Sequence, residues 1–185
     1  MSKVILASQS PRRKELLALL GIEFEAIPAD INEVINPNND LVKEIEKLSY
    51  QKAYHVFKDH KDALVIGSDT IVKINEQVLG KPKTYEEAKQ MLSMLSNNTH
   101  EVVTGVTILK DDKVEIFSEI AFVTFSELTE EEIDEYIKTN EPMDKAGAYA
   151  IQGIGAKFIK SIQGDFYTIM GLPINQLYQR LKKYL

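Results

Sequence analysis

The 185-residue chain contains no cysteine, which removes disulfides, thiolate nucleophiles and cysteine-ligated zinc together. Histidine is scarce: His55, His60 and His100 stand apart, without the spacing a His-based zinc centre needs. No apolar run approaches the length that crosses a bilayer, and VILA near the start is too short for a signal-peptide core. These absences predict a cytoplasmic protein. Positive charge is also in short supply. The 22 Lys and Arg against 28 Asp and Glu leave a net charge of −6, which argues against an extended grip on nucleic acid. A small polyanion is still compatible, because a few clustered cations act locally against the overall field. There is no G-x-x-x-x-G-K-[ST], so a P-loop ATPase is not supported, and no G-x-G-x-x-G after the first strand to suggest a dinucleotide site.

What is present is the composition of a soluble globular protein, 44% hydrophobic and 27% charged. The length suits one domain over residues 1–185, with two lobes allowed, and a substantial core. VILAS reads as a buried strand, Ser10 as a helix N-cap and Pro11 as the first helical position. Leu16, Leu17, Leu19 and Leu20 then supply apolar surface, and Gly21 closes the helix. A short extended stretch is expected near 24–27, before the loop PADINEVINPNND. Asp40 can cap a long helix to about His60, with Leu41, Ile45, Leu48 and Val56 on one face. Residues 63–74 read as a strand buried on both sides, turned back by NEQ into VLGK.

Thr84 with Glu87, and Thr129 with Glu132, have capping-box spacing ahead of two further helices, through Leu95 and to about Lys138. Between them, EVVTGVTILK and KVEIFSEIAFVTFSEL flank Asp111 and Asp112 as a hairpin of two long strands. EPMDKAGAYAIQGIG reads as irregular, KFIKSIQGD as a late strand, and Pro173 as the opening of a C-terminal helix. The mixture is α/β, with parallel and antiparallel pairing both expected.

Three charged features conflict with simple packing. Arg12 and Arg13 sit in a helix first turn, where the dipole and free N–H groups favour anions; they are either solvated surface residues or partners of a phosphate. Lys52 falls inside the apolar stripe of its helix, so it either extends its stem past the core edge or meets an anion. Asp69 lies in the middle of VIGSDTIV. It needs a basic partner, a metal, or a position facing a cleft. Glu33, in the irregular ADINEV stretch, could be a second carboxylate, and hard oxygen donors of this kind suit Mg²⁺ or Mn²⁺. GKPK adds Lys81 and Lys83 on a stiff loop.

The string SQSPRRKELL resembles the S-x-S-P-R-R-x-E-L-L signature of the Maf-like nucleoside triphosphate pyrophosphatases, and SDTIV, GKPK, HEVVTGV and DKAGAYAIQG follow in that family's order. The resemblance implies hydrolysis of a nucleoside triphosphate to the monophosphate and pyrophosphate with a divalent metal. It implies a long mixed sheet in two lobes with flanking helices, similar to the inosine triphosphatase (Maf/Ham) fold, with the site in the cleft between the lobes. It further implies Asp69 as catalytic acid, Glu33 as its partner at the metal, and Ser8, Ser10, Arg12, Arg13, Lys52 and Lys81 as phosphate-binding groups. AYAIQG resembles the branch that prefers dTTP and UTP, with Arg12, Thr70 and Gln152 as specificity positions. The amide of Gln152 offers an acceptor and donors that match part of the uracil or thymine edge, whereas cytosine places an N–H donor where O4 should be. A homodimer is the common assembly that the resemblance implies. Pyrophosphatase action on other modified nucleotides is an alternative, as is a nucleotide-responsive regulator of septum formation; a sensor would bind nucleotide without needing an acid beside a metal.

Overall fold

Val4, Ile5 and Leu6 are all buried, and that uninterrupted apolar run forms strand β1 (Val4–Leu6), inside the sheet of the computed structural model, which describes residues 3–36 and 38–184. β1 pairs in parallel with β2 (Glu25–Ala26) on one side and with β3 (Leu64–Ile74) on the other. The first crossover is helix α1 (Pro11–Ala18), the second helix α2 (Leu41–Phe57). β3 turns back antiparallel into β4 (Gln77–Leu79), with Val72 opposite Leu79, and helix α3 (Tyr85–Leu95) follows. β5 (Thr99–Lys110) and β6 (Lys113–Phe125) form the expected long hairpin, turned at Asp111 with a left-handed φ of 55°. After helix α4 (Glu130–Lys138), the Gly-rich segment winds through three short 3₁₀ turns, then forms β7 (Ile159–Gln163), antiparallel to β6. Helices α5 (Phe166–Met170) and α6 (Ile174–Leu181) end the chain. The mixed sheet runs β2-β1-β3-β5-β6-β7, with β4 added against β3.

The chain divides into two compact units. The first comprises the chain up to Asp69, Thr104–Glu119 and the chain from Gly171 on. Its core joins Ile5, Val65 and Leu109 of the sheet to Ala53, Val56 and Phe57 of α2. The second comprises Thr70–Val103 and Ile120–Met170. There Leu92 and Leu95 of α3 and Ile133 and Tyr136 of α4 cover Val72, Val102, Val123 and Phe125.

Four sequence expectations need correction. Leu19 is exposed and α1 buries only Leu16 and Leu17, because the helix stops after two turns and Gly21 adopts the left-handed φ of 66° just beyond it. α2 ends at Phe57 instead of near His60. The expected box at Thr84 is only half formed: Thr84 accepts from the Glu87 N–H, but the Glu87 carboxylate turns to the N–H of Lys83. Finally, KFIKSIQGD forms a strand only over Ile159–Gln163, and the short helix α5 follows it where no element was expected. Asp165 caps it by accepting from both the backbone N–H and the hydroxyl of Thr168.

Candidate active site

The site begins with a strand and a helix that approach unusually closely. A Cβ added to Gly67 of β3 would lie 2.4 Å from the carbonyl oxygen of Ser49 and 2.7 Å from the nitrogen of Ala53, both on α2. Gly105 of β5 meets the Ile45 carbonyl in the same way, at 2.8 Å. Only bare backbone allows these contacts. The Ser49 and Thr107 hydroxyls add a buried hydrogen bond of 2.8 Å across the same contact. The face of α2 that carries Ser49, Lys52 and Ala53 is thereby held against the strand that carries Asp69.

Lys52 does not escape to solvent. It is 6% exposed, and its Nζ lies 3.2 Å from Oδ2 of Asp69 and 2.7 Å from Oε1 of Glu33. Asp69, itself 9% exposed, has Nη2 of Arg13 3.7 Å from its other oxygen. Thus Arg13, Lys52, Asp69 and Glu33 converge from α1, α2, β3 and the loop before α2. Glu33 is the exposed member, half open to water.

Arg13 is aimed by backbone. Its Nε donates to the carbonyl of Gly171 at 2.8 Å, and the buried hydroxyl of Ser68 donates to the same oxygen at 2.9 Å. Gly171 has a φ of 108°, which only glycine adopts readily. Burial pushes the Arg13 guanidinium below its ordinary pKa, Asp69 opposes that shift, and neighbouring Arg12 adds to it. Ser10 caps α1 by accepting from the N–H of Arg13, and the buried Ser8 accepts from the N–H of Ser10 at 3.2 Å. No acidic residue stands in the first turn of α1. Arg12, half-buried, adds a further positive charge to a helix end that already favours anions.

Burying two cations beside a carboxylate costs desolvation energy that apolar side chains would avoid, so the cluster is a poor device for stability alone. Its chemistry suits the binding of phosphate and the transfer of protons. Two carboxylates that share one ammonium are also the hard oxygen donors a divalent ion takes, with phosphate and water completing its shell. Among the described residues, no group of three or more His, Asp or Glu could hold a metal by itself; Asp69 and Glu33 are two carboxylates on one lysine.

The other expected site residues belong to the second unit. Thr70 follows Asp69 in β3 and is half-buried, Lys81 is exposed after β4, and Gln152 is exposed within the 3₁₀-rich segment. Ser68, Gly67 and Gly171 were not read as site residues. A glycine inside an otherwise apolar strand was the available signal for Gly67. A hydroxyl buried next to the acid was the one for Ser68; Gly171 had none.

A sequence model described as "Maf-like protein" matches residues 3–184. A dTTP/UTP pyrophosphatase of Bacillus cytotoxicus is 50% identical over 184 residues, covering all of this chain and 96% of the relative. A dTTP/UTP pyrophosphatase of Bacillus anthracis shows the same identity and coverage. Among solved structures, the Ham1 protein of Staphylococcus aureus superposes with a TM-score of 0.52 at 13% identity, covering 99% of this chain and 100% of that one, a likeness of fold. No helix among the described residues is long and apolar enough to cross a membrane.

Proposed function

Because this chain belongs to the Maf family, we propose that it is a nucleoside triphosphate pyrophosphatase that hydrolyses dTTP and UTP to the monophosphate and pyrophosphate, with residues 1–185 acting as one functional domain. Relatives bearing that activity's name are 50% identical along its whole length. The observation that carries the reading is the nearly buried Asp69, with Arg13 on one oxygen and Lys52 on the other. A homodimer in the cytoplasm is the setting this reading assigns.

In the mechanism, Arg12, Arg13, the Ser8 and Ser10 hydroxyls and the N-terminus of α1 bind phosphate oxygens, and Lys81 adds a further cation. Arg13 arrives already oriented by the Gly171 carbonyl, so little side-chain order must be gained on binding. Lys52 lies between Asp69 and Glu33 and offsets the repulsion between two neighbouring carboxylates. Asp69 accepts the proton of the water that attacks the α-phosphorus, breaking the bond to the bridging oxygen; pyrophosphate leaves with its charge met by the fixed cations. Asp69 and Glu33 would hold the divalent ion, Mg²⁺ or Mn²⁺, which when bound supplies positive charge to the phosphates and a more acidic water. Gln152 reads the uracil or thymine edge, with Arg12 and Thr70 as further specificity positions.

The test is a panel of nucleoside triphosphates assayed for pyrophosphate release with and without Mg²⁺. The expected result is metal-dependent release, fastest for dTTP and UTP, with a ranking that Gln152→Ala flattens by about tenfold or more in kcat/KM. Equal rates on all bases in the unaltered protein would contradict the base assignment, and nucleotide binding without turnover would favour a sensor.

A further inference from the structure

The segment that carries Gln152 has almost no regular hydrogen bonding of its own, yet it is held at both ends by two side chains. Ala150 donates its N–H to the hydroxyl of Tyr136 at 3.2 Å. That hydroxyl donates to Oε1 of Glu141 at 2.8 Å. The same carboxylate then accepts from the N–H groups of Ile154, at 2.9 Å, and Gly155, at 3.0 Å. Residues 151–153 lie between the pinned positions, with Gln152 exposed at their centre.

The fit leaves no slack. A Cβ at Gly153 would fall 2.2 Å from Oε2 of Glu141, and one at Gly155 would fall 2.5 Å from the Tyr136 hydroxyl. The Tyr136 ring is buried and meets Phe158 edge-on at 5.1 Å, so the hydroxyl cannot swing away. Burial pushes the Glu141 carboxyl up, but the Gly155 and Ile154 N–H groups and the Tyr136 hydroxyl outweigh it and hold the group below the usual range. The carboxylate is therefore ionised at neutral pH, the state that accepts three donors at once.

We propose that Tyr136 and Glu141 are positioning residues for base recognition: together they clasp the 150–155 segment and fix the aim of the Gln152 amide. The inference rests on the reading of Gln152 as the group that contacts the base. A clasp of this kind matters because a misplacement of about 1 Å at a recognition group can cost on the order of a hundredfold. Neither side chain need touch the nucleotide.

The test compares Glu141→Gln, Tyr136→Phe and Ile133→Val with the unaltered protein on dTTP, UTP, CTP and dCTP. Glu141→Gln replaces one acceptor by a donor facing backbone N–H groups, and Tyr136→Phe removes one oxygen while keeping the ring. Ile133→Val thins the same core without touching the clasp, so it records what destabilisation alone does. Both clasp variants are expected to lower kcat/KM for dTTP relative to dCTP by about tenfold, while inhibition by inorganic tripolyphosphate stays within about twofold. In a Gln152→Ala background they should leave the ranking as Gln152→Ala alone sets it, the non-additivity that marks action through one group. Should Glu141→Gln fail to fold, Tyr136→Phe carries the same comparison. A ranking unchanged in the clasp variants, or equal losses on every nucleotide matched by Ile133→Val, overturns the inference. If the unaltered protein shows a dTTP preference that Gln152→Ala abolishes, that failure touches the clasp and not the base assignment.

Discussion

Asp69 and His100 are two buried ionisable groups of one sheet with opposite surroundings. Asp69 has ionic partners, Arg13 on one oxygen and Lys52 on the other. His100 has none: its Nε2 hydrogen-bonds the Tyr149 hydroxyl at 2.8 Å, its Nδ1 is buried with no partner, and the rings of Phe125 and Tyr149 meet it edge-on. Desolvation alone pushes its pKa down from 6.5 to about 4. The unfolded chain therefore takes up a proton below about 6.5, whereas the folded one resists until about 4. Stability must rise with pH through that window and lose up to about 3 kcal/mol as pH falls across it. Urea unfolding of the unaltered protein and of His100→Phe between these pH values checks this. The variant should be less stable at neutral pH but have a flatter slope by one proton, and parallel slopes would remove His100 from the acid response.

At the scale of elements, caps were readable from sequence because each is a local bargain between a side chain and nearby N–H groups. Ser10, Asp40 and Thr129 cap where their types and spacing require, and Thr129 with Glu132 completes a full box. The Thr84 box fails by half because the Glu87 carboxylate accepts from the N–H of Lys83 instead. The short α5 was missed although Asp165 and Thr168 have cap spacing, since a five-residue helix shows too little periodicity to stand out. Lys52 was readable as a misfit in an apolar stripe, but its partners depend on how closely α2 lies on β3, which Gly67 decides. Gly67→Ala should force that contact apart, since the added Cβ meets backbone that cannot rotate away. Overpacking of this kind typically costs 1–3 kcal/mol, roughly. We expect a lower Tm together with a larger proportional fall in kcat/KM, as Lys52 moves off Asp69. Unaltered Tm and activity would mean the close approach has no bearing on the site.

Over the whole molecule, the order of motifs along the chain was the most legible feature, and the α/β mixed sheet followed from it and from the alternation of apolar strands with capped helices. The site was legible as far as charge out of place could mark it: Arg13, Lys52 and Asp69, distant in sequence, meet within one unit of the fold. What the sequence could not convey is what holds them there, because a backbone carbonyl at Gly171, a missing Cβ at Gly67 and a clasp on the 150–155 segment leave no periodic trace. The central claim is that this cluster directs water to the α-phosphorus with Asp69 as the base. Hydrolysis of dTTP in heavy-oxygen water, followed by mass analysis of the products of the unaltered protein and of Asp69→Asn, tests it most directly. The account predicts the label in dTMP and not in pyrophosphate, with turnover by Asp69→Asn lower by about a hundredfold or more although its far-ultraviolet spectrum and Tm report a folded chain. Label in pyrophosphate, or near-normal turnover by folded Asp69→Asn, would contradict it.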